Sequence, residues 1–195
     1  VSLNGALTST DTTVNGNALL EADGKITLNK SNAISGDLLA NSKSDDVNIS
    51  GNFSVGGEGY VRAGENLSFA GTTTGSRLTS IALNNASISG SINTEELASI
   101  SANGTVSLNG NVESDQVYLS GDEGVSVTSN AGAHAVSKLV VVSDSGDVTL
   151  SGSNSGTTPV HAGLTSDDVL LVKANSLKLT VGKLESKGNM LLDVD

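Results

Sequence analysis

A five-residue pattern of apolar, polar, apolar, small polar and Gly returns about every 20 residues, and it restricts the chain's fold more than any other feature. It reads Val1-Ser2-Leu3-Asn4-Gly5, Val47-Asn48-Ile49-Ser50-Gly51, Leu67-Ser68-Phe69-Ala70-Gly71 and Ala86-Ser87-Ile88-Ser89-Gly90. It continues as Val106-Ser107-Leu108-Asn109-Gly110 and Val148-Thr149-Leu150-Ser151-Gly152, with Ile26-Thr27-Leu28-Asn29 lacking the glycine. Weaker copies fall at Val125-Ser126-Val127, Val169-Leu170-Leu171 and Met190-Leu191-Leu192. From Ile26 to Met190 the first apolar positions lie 19–23 residues apart, whereas the longer interval from Val1 to Ile26 asks for an insertion. Between copies stands a second apolar pair, as in Leu38-Leu39, Tyr60-Val61, Val117-Leu119, Leu139-Val141 and Leu177-Leu179.

Strict alternation is a strand signal. Strands of three to five residues cannot make a stable sheet with their sequence neighbours alone. If each repeat closes one turn, strand n pairs in parallel with strand n+1, inward Val, Leu and Ile stack into columns, and each turn satisfies the backbone of the next. The expected fold is therefore all-β: a right-handed parallel β-helix of about nine to ten coils, with a period of roughly 20–21 residues and a length of roughly 45 Å. An antiparallel sandwich also has short, evenly spaced strands, but it does not require the same residue types to recur at the same position. Residues 93–100 begin like a helix at Thr94, which allows one turn at most. The core is Val, Leu, Ile and Ala, and the only rings are Phe53, Tyr60, Phe69 and Tyr118, as suits a narrow interior. Twenty-three Gly against one Pro supply the turns. Residues 1–195 are read as a single segment, a fragment of a longer chain, with less regular loops at 6–18, 130–138 and 153–165.

A net charge of −11 argues against nucleic acid as a partner, because phosphate binding needs clustered Lys and Arg. No stretch approaches the roughly 18–20 apolar residues of a membrane helix, so membrane insertion is not expected. With no cysteine, stability cannot come from disulfides.

Blocks such as Ala22-Asp23-Gly24-Lys25-Ile26-Thr27-Leu28-Asn29, Ala63-Gly64-Glu65-Asn66-Leu67-Ser68-Phe69-Ala70-Gly71 and Gly104-Thr105-Val106-Ser107-Leu108-Asn109-Gly110 resemble the repeats of filamentous haemagglutinin-like exoproteins. These are the β-helical proteins of two-partner secretion, which include adhesins and the toxin-carrying effectors of contact-dependent growth inhibition. The resemblance is one of style and period and covers most of the chain. It implies a shaft, secreted or displayed at the bacterial surface (outer-membrane associated), exported by an outer-membrane partner. It implies no catalytic residue, and neither a secretion-domain motif nor a toxin-like segment is present in the sequence.

Several residues are of types that can carry chemistry. Gly56-Gly57-Glu58-Gly59-Tyr60-Val61 begins like a calcium-binding β-roll repeat, but Val61 stands where Asp is needed. Acidic pairs stand at Asp45-Asp46, Glu95-Glu96, Asp122-Glu123 and Asp167-Asp168. The first and last of these read as one turn used twice, and by register neither Arg62 nor Arg77 lies near any pair. Asp147, Asp168 and Asn189 lie 21 residues apart and should stack on one corner, which makes Asp147 and Asp168 a weak candidate metal site. His134 and His161 fall in the irregular stretches and mark weak candidate binding loops. Sequons such as Asn48-Ile49-Ser50 are no more frequent than the composition produces.

The reading is thus a non-enzymatic structural or adhesive shaft with no cofactor, monomeric as a fragment and self-associating tip to tail as salt rises. The alternative is a segment that itself binds a host or target-cell receptor or a glycan. A polysaccharide-degrading β-helix enzyme is the remaining alternative, disfavoured because its carboxylates would have to converge.

Overall fold

The computed structural model describes residues 2–3, 5–128, 130–151, 163–180 and 183–195. Regular structure in them is entirely β: 21 strands joined in one sheet, stacked as a parallel β-solenoid of about nine turns. Each turn adds one rung to three ladders. In the turn that begins at Val47, the strand Val47–Ile49 joins the first ladder. The strand Asn52–Ala63 then supplies the second and third ladders in succession, with a register shift between Val55 and Glu58.

The repeat read from the sequence is the first ladder. Leu7 pairs with Ile26, Ile26 with Val47, and the series continues through Leu67, Ala86, Val106, Val125 and Val148. The alternating residue faces inward, so Ile26, Val47, Leu67, Ala86, Val106 and Val148 are at most 1% exposed, and Ile49, Ile88 and Leu108 form a second column beside them. The second ladder buries Phe53, Ile92, Val112 and Leu164, and the third buries Val61, Ile100, Leu119 and Val172. Where the third ladder meets the next turn, Ala22, Ala63, Ala82 and Ala102 keep the corner narrow. That geometry is why a core almost without rings is sufficient.

Three details differ from the sequence expectation. The copy at Val1 is not a rung of the first ladder: Ser2 and Leu3 pair with Glu21 and Ala22, and Leu7 is the first-ladder position. The long first interval therefore needs no insertion. Residues 6–18 contain the strand Leu7–Val14, and residues 130–138 lie largely in the strand Gly132–Val142, because both pair in register with neighbouring turns. Of 153–165, residues 153–162 lie outside the described residues, and Gly163–Ser166 is a strand. Residues 93–100 form no helical turn. They belong to the strand Ser91–Ala102, which bulges at Glu95 and Glu96, since pairing of the flanking residues with the adjacent turns outweighs the local helix-start signal.

The eighth turn also shifts the phase of the repeat. Val148 pairs with Leu177, and Leu139 with Leu170, so Val169-Leu170-Leu171 belongs to the third ladder and Leu177-Lys178-Leu179 to the first. Across this step the pairing separation rises from about 20 residues to 29–31. The additional residues lie between Leu150 in the first ladder and Gly163 in the second.

Two buried hydroxyls, Thr73 Oγ1 and Ser80 Oγ, have no hydrogen-bond partner among the described residues. Thr73 stacks between Phe53 and Ile92, and Ser80 between Val61 and Ile100. A buried unpaired hydroxyl costs about 1–3 kcal/mol. Thr73→Val and Ser80→Ala are expected to stabilise the rod by about 1 kcal/mol each, read as higher urea midpoints. Unchanged or lower midpoints would mean that these hydroxyls are paired in solution.

Candidate functional site

The candidate residues are distributed around the rod. His134 projects outward from the second ladder, in register with Glu113 below and Thr165 above, and its Nδ1 lies 3.0 Å from Thr165 Oγ1. It is half-buried on a regular strand and not on a loop. His161 lies outside the described residues.

Asp147 and Asp168 do not stack. Asp147 stands on the first ladder beside Ser176, whereas Asp168 precedes the third-ladder rung at Val169, which pairs with Asn189. The phase shift in the eighth turn separates them, so the 21-residue spacing no longer marks a shared corner. Asp147 is ion-paired with Lys178 and accepts a 2.7 Å hydrogen bond from Ser176 Oγ. The Lys178 contact, with the Ser176 hydroxyl, holds its carboxyl below the usual carboxylate range. Asp167 is paired with Lys187 at 2.8 Å.

The acidic pairs also need correction. Arg77 lies 3.6 Å from both Glu58 and Glu96, so one arginine does serve an acidic pair: the bulge swings Glu96 toward the rung below. Asp45-Asp46 leads from the third ladder into the first, while Asp167-Asp168 leads from the second into the third, so they are different turns. The Gly56-Gly57 segment is a packed bulge, where a Cβ on Gly56 would come 2.3 Å from the Ser35 carbonyl oxygen.

One constellation was missed. Asp45, Asp46 and Glu65 each place a carboxylate oxygen within 4.8 Å of the others. Adding one period to Asp45 would have found Glu65, whose N–H donates to the Asp45 carbonyl oxygen at 3.2 Å. The chain itself answers much of this charge. Lys25 Nζ lies 3.3 Å from Asp46, and the backbone N–H and Nδ2 of Asn66 both donate to Asp46 Oδ1 at 3.1 Å. Above it the stack continues, as Asn85 donates to Asn66 Oδ1, and Thr105 to Asn85 Oδ1. Burial pushes the Asp46 carboxyl up, but the Asn66 donors and Lys25 outweigh it and hold it below its ordinary value of 3.8.

A depressed folded-state pKa gives stability that is present above the unfolded value and lost as pH falls through the folded one. The destabilisation caused by Asp46→Asn is therefore expected to be full at neutral pH and to shrink below about pH 4. Urea midpoints of both chains across pH 7 to 2.5 check this, and a difference that does not change with pH would contradict it. A resident cation is not expected at Asp45, Asp46 and Glu65 or at Asp147: chelator should leave the melting temperature unchanged, and a calcium-dependent rise would contradict that.

The sum of these features is a class of protein, a parallel β-solenoid whose polar groups mainly brace one turn against the next. No family model matches the chain, and neither a curated protein nor a solved structure was found to match it.

Proposed function

We propose that this chain is a structural or adhesive shaft segment of a secreted, filamentous bacterial surface exoprotein of the haemagglutinin-like kind, and not an enzyme. The observation that carries the reading is the parallel stacking of three ladders through about nine turns. Such a stack is a rigid spacer that can hold a distal binding or effector region away from a cell. The candidate acid, base and metal-ligating residues serve turn-to-turn contacts or stand on separate ladders, and they do not line one cleft among the described residues. An outer-membrane secretion partner would export the full-length chain, and recognition of a host or target cell would reside elsewhere in it.

A second reading, that the segment itself binds a receptor or glycan, draws on the additional residues between the paired rungs of the eighth turn, since departures from a regular scaffold are where recognition concentrates. The test is binding of the purified chain to target cells. A shaft shows none above a control protein, whereas saturable binding lost on shortening residues 152–162 would establish the second reading. Release of reducing ends from acidic polysaccharide would overturn both.

A further inference from the structure

The outward residues of the first and second ladders are mostly small and polar. The first presents Thr27, Asn48, Ser68, Ser87, Ser107 and Ser126 in register. The third ladder is different. Its central outward column runs Leu39, Tyr60, Thr79, Ser99, Tyr118, Val140 and Leu171, with Leu39 38% exposed and Tyr60, Tyr118, Val140 and Leu171 half-buried. We propose that this face is a lateral interface between two copies of the chain, packed antiparallel about the rung at Ser99.

Charge favours a second copy over another partner. The chain carries −11, so two copies repel over most of their surface. The third-ladder face carries both signs in equal number: Glu21, Glu58, Asp193 and, at the bulge, Glu96 stand with Arg62, Arg77, Lys138 and Lys173, and the like charges Glu21 and Asp193 fall opposite each other only at the two ends of the face. The column also reads alike in polarity from both ends, as an isologous contact requires. About the Ser99 rung, Leu39 meets Leu171, Tyr60 meets Val140, and Leu97 meets its own copy. Glu58, 3.6 Å from Arg77 within its own chain, meets Lys138, whose ammonium lies 5.6 Å from the Tyr118 ring centre.

The size fits as well. Strands of about five residues and nine rungs give a face of about 16 by 43 Å, or about 700 Å² per copy, near what a specific interface buries. In place of the monomer expected from the sequence, the chain forms a side-by-side pair. A shaft built this way would be thicker and stiffer than one rod, whatever its tip carries, and the inference does not depend on the proposed function.

Sedimentation velocity of the purified chain, across concentration and salt, tests it. The expected result is a compact dimer whose Kd rises at least tenfold in Leu171→Glu and in Tyr118→Glu and is unchanged in Ser107→Glu on the first ladder. Circular dichroism confirms that each variant is folded. Glu58→Lys and Lys138→Glu should each weaken the dimer, and the double variant should restore it. A monomer at all concentrations overturns the proposal. So does an elongated tip-to-tail dimer indifferent to Leu171→Glu, or a failure of the double charge swap to rescue.

Discussion

Leu108→Asp is expected to cost at least about 4 kcal/mol and to abolish cooperative melting near the wild-type temperature. Leu108 is fully buried on the first ladder, between Ile88 below and Val127 above, in a column of apolar side chains. A carboxylate there either stays charged in a dry column or takes up a proton that it would not hold in the unfolded chain, and both routes destabilise. Ile49→Asp, at 1% exposure in the same column, should behave likewise. Ser107→Asp is the internal comparison, because it changes the neighbouring outward residue and should shift the melting temperature only slightly. Thermal melts followed by circular dichroism decide it, and equal effects at positions 107 and 108 would mean that the facing is reversed.

The second large effect comes from backbone crowding. At the turn from the first ladder to the second, Gly51, Gly71, Gly90 and Gly110 stack directly. A Cβ on Gly71 would lie 2.0 Å from the Gly51 carbonyl oxygen, and one on Gly90 would lie 1.9 Å from that of Gly71. Real Cβ atoms do not approach backbone oxygen so closely, and the oxygen cannot withdraw because it belongs to the adjacent turn. Gly71→Ala should therefore cost about 2–4 kcal/mol although it adds a single methyl group. Gly5 is the contrast: a Cβ there meets nothing within 4 Å, so Gly5→Ala should be close to neutral. Urea midpoints for the two variants make the comparison. An equal, small effect at both would show that the turns are looser than the stacking requires.

Most of the fold was legible because each rung repeats the same residue types, so that one motif reports on every turn. The inward columns at Ile49 and Leu108 could be read from alternation alone. The phase was less legible. The copies at Val1 and at Val169 have the right pattern, but Ser2 and Leu3 of the first and Val169-Leu170-Leu171 of the second stand on the third ladder, since all three ladders bury alternating apolar residues and look alike over three residues. The eighth turn deceived for the same reason: its extra residues moved Val148 opposite Leu177, and a spacing of 21 between Asp147 and Asp168 lost its meaning. Glu65 beside Asp45 was recoverable by adding one period, whereas the contact of Arg77 with Glu96 depends on a bulge that local sequence does not announce. The outward apolar column of the third ladder is not legible in the sequence, because pairs such as Leu38-Leu39 and Tyr60-Val61 do not say which member faces in until the register does.

Each turn of the chain adds one parallel rung to the first ladder, and distances between spin labels test this most directly. The chain contains no cysteine, so paired Cys substitutions place labels without background. With one label at Thr27 and the other at Ser107, Ser126 or Thr149, all outward on the first ladder, the partners lie four, five and six rungs away. At the parallel strand spacing the backbone separations are about 19, 24 and 29 Å, a straight line of about 4.8 Å per rung. Pulsed dipolar EPR on samples diluted with unlabelled chain is expected to return that line. Distances that fail to increase with rung number, as they would in an antiparallel sandwich, would contradict the solenoid.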